Sequence, residues 1–214
     1  MSLRVNIGCG RSPTEGWLNM DNSLAIKLAN SPFWYRVSKF CGLLNSSQIE
    51  NIEWNKSNEI QFADATRSLP LDDSCVDCIY TSHMFEHLSQ HGAKRFLTEA
   101  RRVLKIGGVL RISVPDLRIA VEDYMESNDA DLFMQTLLVE ASPISTIKQK
   151  ANLFITGYRH HQWMYDGKSL SKLLKEMGYK DVEICRNGYT KIPNADGLDL
   201  TERVDQSVYV EGIK

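Results

Sequence analysis

Two glycines flanking a cysteine, Gly8-Cys9-Gly10, stand directly after the short apolar run Val5-Asn6-Ile7. Such a run reads as a buried parallel strand. Glycines at its end allow a sharp turn and a close approach of backbone to ligand, where a side chain would clash. That is the physical logic of a nucleoside or dinucleotide site at the carboxyl end of a first strand. G-x-G alone is common in loops, so its meaning depends on the residues downstream of it. Four polar residues there each stand just past a further apolar run: Asp21, Asp64, Ser82 and Asp116. Ligands bind off the carboxyl ends of the strands in an open α/β sheet, so this row reads as the rim of one site.

Five histidines are the other candidates for chemistry. His83 is placed at a strand end, while His87 and its neighbour Glu86 read as structural, tying a loop to the next helix. His91 reads as exposed at a helix start. His-x3-His spacing at 83–87 would suit a metal ion, but no H-E-x-x-H pattern and no third ligand is evident, so no metal is expected. The segment His160-His161-Gln162-Trp163-Met164-Tyr165 leaves two readings open. In one it covers the substrate and His161 is a general base. In the other Trp163 and Tyr165 are core packing and His161 is a buried hydrogen-bonder. Cys75-Val-Asp-Cys78 has C-x-x-C spacing, but it leads into an apolar run with no second Cys/His pair nearby and reads as packing.

The elements that must position these residues alternate along the chain. Strands are expected at about 3–7, 17–20, 59–63, 76–81, 109–114, 181–186 and 207–213, with a short extra strand at 49–54. One or two short helices fall within 23–45, broken at Ser31-Pro32. A helix capped near Ser89 runs to about Lys105, with Phe96, Leu97, Ala100, Val103 and Leu104 at helical spacing and Gly107-Gly108 as its stop. Residues 117–165 read as mostly helical, and a further helix spans 167–177. This alternation predicts an α/β sandwich around a mainly parallel sheet. Residues 11–16 are too few for a crossover helix, since parallel crossovers need about a dozen residues. At most one turn is expected there, shaped by Pro13 and Gly16.

With 214 residues, 43% of them hydrophobic and 24% charged, the chain suits one domain over 1–214 with a full core. A net charge of −2 gives no electrostatic case for nucleic acid or an anionic membrane. No apolar run approaches the ~20 residues of a membrane helix. The first strand begins within a few residues of Met1, so no signal peptide is expected. Five dispersed cysteines read as reduced thiols, and the expected location is the cytoplasm.

The segments VNIGCG, NMD, FADA, LPLDDSCVDCIYTSHMFEHL and FLTEARRVLKIGGVLRISVPD together resemble a class I S-adenosylmethionine-dependent methyltransferase over residues 3–116. The helix carrying R-V-L-K, then a glycine pair and a strand, is the most specific piece. EGWLNMD, SHMFEHL, LRISVPDL and HHQWMYDGKSL resemble a bacterial group of predicted methyltransferases that often accompany cell-surface polysaccharide synthesis. The resemblance implies a Rossmann-like sandwich, mainly parallel with a C-terminal antiparallel strand, and S-adenosyl-L-methionine as cofactor. It implies that Asn6, Gly8, Cys9 and Gly10 lie against the cofactor's methionine and ribose portions. Asp21 would accept hydrogen bonds from the ribose hydroxyls, and Asp64 from the adenine amino group, with Ala65 beside it. Ser82 and His83 would face the cofactor and the substrate entrance. His161 and Tyr165 match a recurrent pair in the bacterial group. Two departures stand out: Asn6 replaces the family's usual carboxylate, and Ser12 replaces the third glycine.

The implied activity is methylation of a small molecule, with a hydroxyl of a sugar or glycan precursor as the acceptor and His161, His83 and Tyr165 as the catalytic candidates. Lid insertions at about 23–58 and 117–165 would stand in for a covering helix before the first strand. The first carries Phe33-Trp34-Tyr35, Phe40 and Leu43-Leu44, read as core packing by default, or as a pocket wall, a homodimer contact or a touch-point for a lipid-linked substrate. Two rival functions remain. A nicotinamide-dependent oxidoreductase would need the missing third glycine and a phosphate site at a helix start. A non-catalytic S-adenosylmethionine-binding partner protein is kept open by Asn6 and the short first crossover.

Overall fold

The structure, a computed structural model, describes residues 2–138, 160–195 and 197–214. The apolar runs form strands β1 (Arg4–Ile7), β2 (Leu18–Asp21), β3 (Gln61–Phe62), β4 (Val76–Ser82), β5 (Leu104–Pro115), β6 (Lys180–Cys185) and β7 (Ser207–Ile213). They make one sheet in the order β3-β2-β1-β4-β5-β7-β6. The first five strands are parallel, and β7 runs antiparallel to both β5 and β6. Strand order reverses between β1 and β4, which creates a crevice at their carboxyl ends.

Helices cover the sheet: α1 (Leu24–Ala29), α2 (Pro32–Phe40), α3 (Ser46–Ser57), α4 (Gln90–Val103), α5 (Leu117–Ser127), α6 (Ala130–Leu137) and α7 (Gly167–Glu176). Ser89 caps α4 through its side chain, and the helix buries Phe96, Leu97, Ala100 and Val103 on one stripe. Those residues join Val5, Ile79, Leu110 and Ile112 of the sheet in the main core, which Leu170 and Leu174 of α7 extend. Each large apolar side chain buried this way contributes about 1.5–3 kcal/mol. A fully buried ion pair ties β5 to β7: Arg111 Nη1 lies 2.8 Å from Glu211 Oε1.

Three expectations need correction or completion. Residues 49–54 are not a strand but part of α3. Asn45 and Gln48 cap that helix reciprocally, and Ile49 and Ile52, three apart, fit a helical period in which Ile52 is the buried residue. Gly107-Gly108 does not stop α4, which ends at Val103. The pair lies within β5, where a register shift sets Leu104 against Val76 and Val109 against Cys78, and Gly107 has φ +81°. Of the helical stretch expected at 117–165, α5 and α6 are present, and residues 139–159 lie outside the described residues.

Residues 11–16 hold turns rather than a helix. Thr14 braces this link, exchanging backbone bonds with the Asn19 side chain at 2.8 and 3.0 Å and receiving Asn6 Nδ2 on its hydroxyl at 3.0 Å. Of the aromatic set in 23–58, Tyr35 is buried against Ala25, Ala29 and Ile52. Phe33, Trp34 and Phe40 are exposed, so core packing does not account for them. Among the described residues, no helix is long and apolar enough to cross a membrane.

Candidate active site

The turn after β1 carries Gly8 at φ +74° and Gly10 at φ +52°. The N–H groups of Gly8 and Cys9 both donate to the Met20 carbonyl, at 2.7 and 3.2 Å. Gly10 N–H donates to Asp21 Oδ2 at 3.1 Å, and Ser23 N–H to Oδ1 at 2.8 Å. Two amides therefore fix the Asp21 carboxylate at the end of β2, with lone pairs left over for other donors. A Cβ added at Gly10 would meet nothing within 4 Å, whereas one at Gly8 would stand 2.4 Å from Met84 Cγ. The turn after β1 is thus packed directly on the loop after β4. Gly8→Ala is expected to lose about 3 kcal/mol of stability, from left-handed strain plus overpacking. Gly10→Ala, with open space, should lose only about 1–2 kcal/mol from the strain. Urea unfolding of both variants checks this, and equal losses would show that Met84 yields freely.

Asn6 is 2% exposed and points its amide at Thr14 Oγ1 and, at 3.4 Å, the Ser12 carbonyl. A carboxylate could not donate to that carbonyl, so the departure from the family pattern goes with the short, braced first crossover. The Cys9 thiol is buried and pushed up to about 12, first by burial and then by the charge of Asp21. Asp64 Oδ1 accepts from Thr66 N–H at 3.0 Å and Thr66 hydroxyl at 2.7 Å, and Oδ2 lies 3.3 Å from Arg67. Ala65 beside it is buried. Ser82 Oγ is buried with no hydrogen-bond partner among the described residues. An orphaned hydroxyl at the crevice, an anchored carboxylate at its rim and open space at Gly10 fit a nucleoside-bearing cofactor.

Beyond Ser82 the chain makes a tight 3-10 turn over Phe85–His87. His83, at φ +47°, places Nε2 3.0 Å from Ser207 Oγ and Nδ1 3.2 Å from Arg203 Nη1. A guanidinium only donates, so Nδ1 accepts and Nε2 carries the proton. Burial, then the Arg203 charge, holds the His83 imidazole down at about 4. Glu86 is 1% exposed. Its Oε1 lies 3.6 Å from His83 Nδ1 and 3.9 Å from both His87 Nε2 and His161 Nε2, while Oε2 has no hydrogen-bond partner among the described residues. Burial pushes the Glu86 carboxyl up to about 7. His161 is buried, with Nδ1 3.2 Å from Met164 Sδ, and is held below the usual imidazole range by burial first and by His87 second. Tyr165 is buried against the Phe85 ring at 5.2 Å, and burial pushes its hydroxyl up to about 12.

The structure therefore gathers three of the five histidines around one carboxylate. Gln162 and Trp163 N–H both donate to the Glu86 carbonyl, at 2.8 and 3.2 Å, which pins the 160–165 segment on the 3-10 turn. His91 is exposed on α4, and Trp163 is 45% exposed, so Trp163 is not core packing. Asp116, at the end of β5, caps α5, its Oδ1 accepting from Arg118 N–H at 2.9 Å. Glu86 is the residue that sequence reasoning undervalues. The H-x-x-E-H pattern at 83–87 is visible along the chain; its link to the distant His161 is not.

A family model described as a methyltransferase domain matches residues 5–112, just over half the chain, from β1 into β5. No functionally curated protein matches the sequence. Among solved structures, an S-adenosylmethionine-dependent methyltransferase from Thermotoga maritima, described as a possible histamine N-methyltransferase, superposes with a TM-score of 0.56 at 14% identity. The match covers 100% of this chain and 83% of that one. A further S-adenosylmethionine-dependent methyltransferase, from Archaeoglobus fulgidus, has a TM-score of 0.48 at 14% identity, covering 100% and 86%. At such identity the first of these speaks for the fold. The family match spans the glycine turn, Asp21, Asp64 and the loop after β4, so the chain belongs to the methyltransferase-domain family and is an S-adenosylmethionine-dependent methyltransferase.

Proposed function

We propose that the protein methylates a hydroxyl of a small molecule, such as a sugar or a glycan precursor. The observation that carries this reading is the buried cluster of imidazoles and Glu86 beside the glycine turn, since a hydroxyl, unlike an amine, must shed its proton to become a good nucleophile. The backbone of Gly8, Cys9 and Gly10 would lie along the cofactor, with Asp21 at the ribose, Asp64 and Ala65 toward the adenine, and Asn6 and Ser82 toward the methionine end. Bound S-adenosylmethionine supplies a methyl group on a sulfonium, whose C–S bond breaks as the C–O bond forms and whose electron pair stays on sulfur.

The chain's own residues provide alignment, dryness and a proton acceptor. Met84 and Phe85 exclude water where the methyl group moves. His161 Nε2, facing Glu86, takes the hydroxyl proton in this reading. His83, fixed by Arg203 and Ser207, is a neutral wall of the acceptor pocket. Tyr165, packed on Phe85, positions the segment that carries His161. The lid reading of 23–58 rests on Phe33, Trp34 and Phe40, which are too exposed to be core. The sugar as acceptor class is supported by the likeness of EGWLNMD and HHQWMYDGKSL to polysaccharide-linked methyltransferases.

The test has two stages. Calorimetric titration should give micromolar binding of S-adenosylmethionine and S-adenosylhomocysteine and none of NAD⁺. Release of S-adenosylhomocysteine is then monitored with a panel of sugars, nucleotide-sugars, amines and carboxylic acids. Turnover confined to amines would overturn the hydroxyl reading.

A further inference from the structure

We propose that Glu86, His87 and His161 form a binding site for one divalent transition-metal ion at the substrate side of the cofactor crevice. Their ligating atoms all lie within 4.8 Å of one another. Glu86 Oε1 is 3.9 Å from each of the two Nε2 atoms, too far for a hydrogen bond. Two ligands at about 2.1 Å from one tetrahedral ion stand about 3.4 Å apart, so each imidazole needs to close on Glu86 Oε1 by only about 0.5 Å to share a centre. The two imidazoles are equidistant from one oxygen, which is also not the geometry of a single His–Glu pair.

The protonation pattern fits ligation. His87 Nδ1 lies 3.1 Å from the His160 carbonyl. A carbonyl only accepts, so Nδ1 carries the proton and the Nε2 lone pair is free toward Glu86. Metal-bound histidines are oriented in this way by their second nitrogen. The two ligand-bearing segments are also tied to each other, because Gln162 Nε2 donates to the His87 carbonyl at 2.7 Å and Gln162 N–H to the Glu86 carbonyl at 2.8 Å. Little ordering is then needed when an ion enters.

The independent sign of a missing ligand is Glu86 itself. It is 1% exposed and its Oε2 has no hydrogen-bond partner among the described residues. A buried, unsatisfied carboxylate is costly, and a cation supplies what the protein withholds. Two imidazoles and one carboxylate favour Zn²⁺, Mn²⁺ or Fe²⁺ over Mg²⁺ and Ca²⁺, which take oxygen ligands. His83 is not a ligand, since Arg203 and Ser207 engage both its nitrogens. Three protein ligands leave positions open for an incoming oxygen.

Met84, two residues before Glu86, is the side chain against Gly8, so those positions lie next to the cofactor turn. On the hydroxyl-acceptor reading above, the ion would hold the acceptor oxygen and ease loss of its proton to solvent, while His161 gives its lone pair to the ion instead of acting as the base. The metal site itself stands without that reading.

The metal-stripped full-length protein is titrated with Zn²⁺ by calorimetry and with Co²⁺ by visible absorption. One equivalent should bind, with a Zn²⁺ Kd of micromolar or tighter and a Co²⁺ band of a low-symmetry nitrogen–oxygen site. His87→Ala and Glu86→Gln should each weaken Zn²⁺ at least tenfold, with their unfolding transitions recorded to show that they fold. Absence of binding to the wild type, equal binding to folded variants, or binding of Mg²⁺ in preference to Zn²⁺ would each overturn the site. S-adenosylhomocysteine is titrated into the same samples. Its binding without Zn²⁺ uptake would sink the metal site and spare the cofactor assignment, whereas Zn²⁺ uptake with turnover on amines alone would do the reverse for the hydroxyl reading.

Discussion

Glu211→Ala is expected to cost about 4 kcal/mol of folding stability, because breaking a fully buried ion pair leaves a charge with no partner. Arg111 and Glu211 face each other in the β5–β7 register, and neither side chain is exposed at all. Glu211 also accepts from the Thr190 hydroxyl and, at 2.8 Å, from Lys191 N–H. Without it Arg111 keeps, among the described residues, the Tyr189 carbonyl at 2.9 Å and the face of the Tyr209 ring at 4.9 Å. The transition temperature should fall by roughly 10 °C for a chain of this length. The double variant Arg111→Leu/Glu211→Leu should recover part of the loss, since no charge is stranded, but not all of it, since Thr190 and Lys191 still lose their acceptor. Urea unfolding of the three proteins measures this. A loss under about 1 kcal/mol in Glu211→Ala would mean that water reaches Arg111 once the carboxylate is gone. The consequence extends to the crevice, because β7 begins at Ser207, and Ser207 and Arg203 hold His83.

That ion pair shows where sequence reading stops. Arg111 and Glu211 are each a lone charge inside an apolar run, and both runs are legible as strands because a buried strand leaves a local signature. Their partnership depends on an antiparallel register between segments 100 residues apart, which no local pattern encodes. The glycine turn, Asp21 and the short first crossover are legible for the same local reason. The helix α3 is not, since IENIEW satisfies both a period of two and a spacing of three, and the capping pair Asn45 and Gln48 lies just outside it or at its edge. Gly107-Gly108 misleads because glycine marks both helix ends and bulges. Asn6 looks like a damaged cofactor contact in the sequence; its bonds to Thr14 and Ser12 give it a structural reason. The Glu86 cluster is half visible, its near members within five residues and its far member brought in only by the fold.

Asp21→Ala is expected to weaken S-adenosylhomocysteine binding by about 100-fold, the equivalent of about 3 kcal/mol for two hydrogen bonds to a charged acceptor. The carboxylate is held from both sides, by Gly10 N–H on one oxygen and Ser23 N–H on the other, so on the proposed cofactor placement it would meet the ribose hydroxyls without first being ordered. The same two bonds make a prediction about specificity of the effect. Asp21→Asn keeps one acceptor oxygen and should lose less affinity, about tenfold, while stability changes by no more than about 1 kcal/mol in either variant, because the amides lie at a solvent-accessible rim. Calorimetry on folded protein separates the terms, with 2′-deoxy and 3′-deoxy analogues as further titrants. If Asp21 meets the ribose, the analogues lose affinity in the wild type and lose little more in Asp21→Ala. Unchanged affinity in Asp21→Ala would instead place the ribose contact on another residue and reduce Asp21 to a brace for the glycine turn.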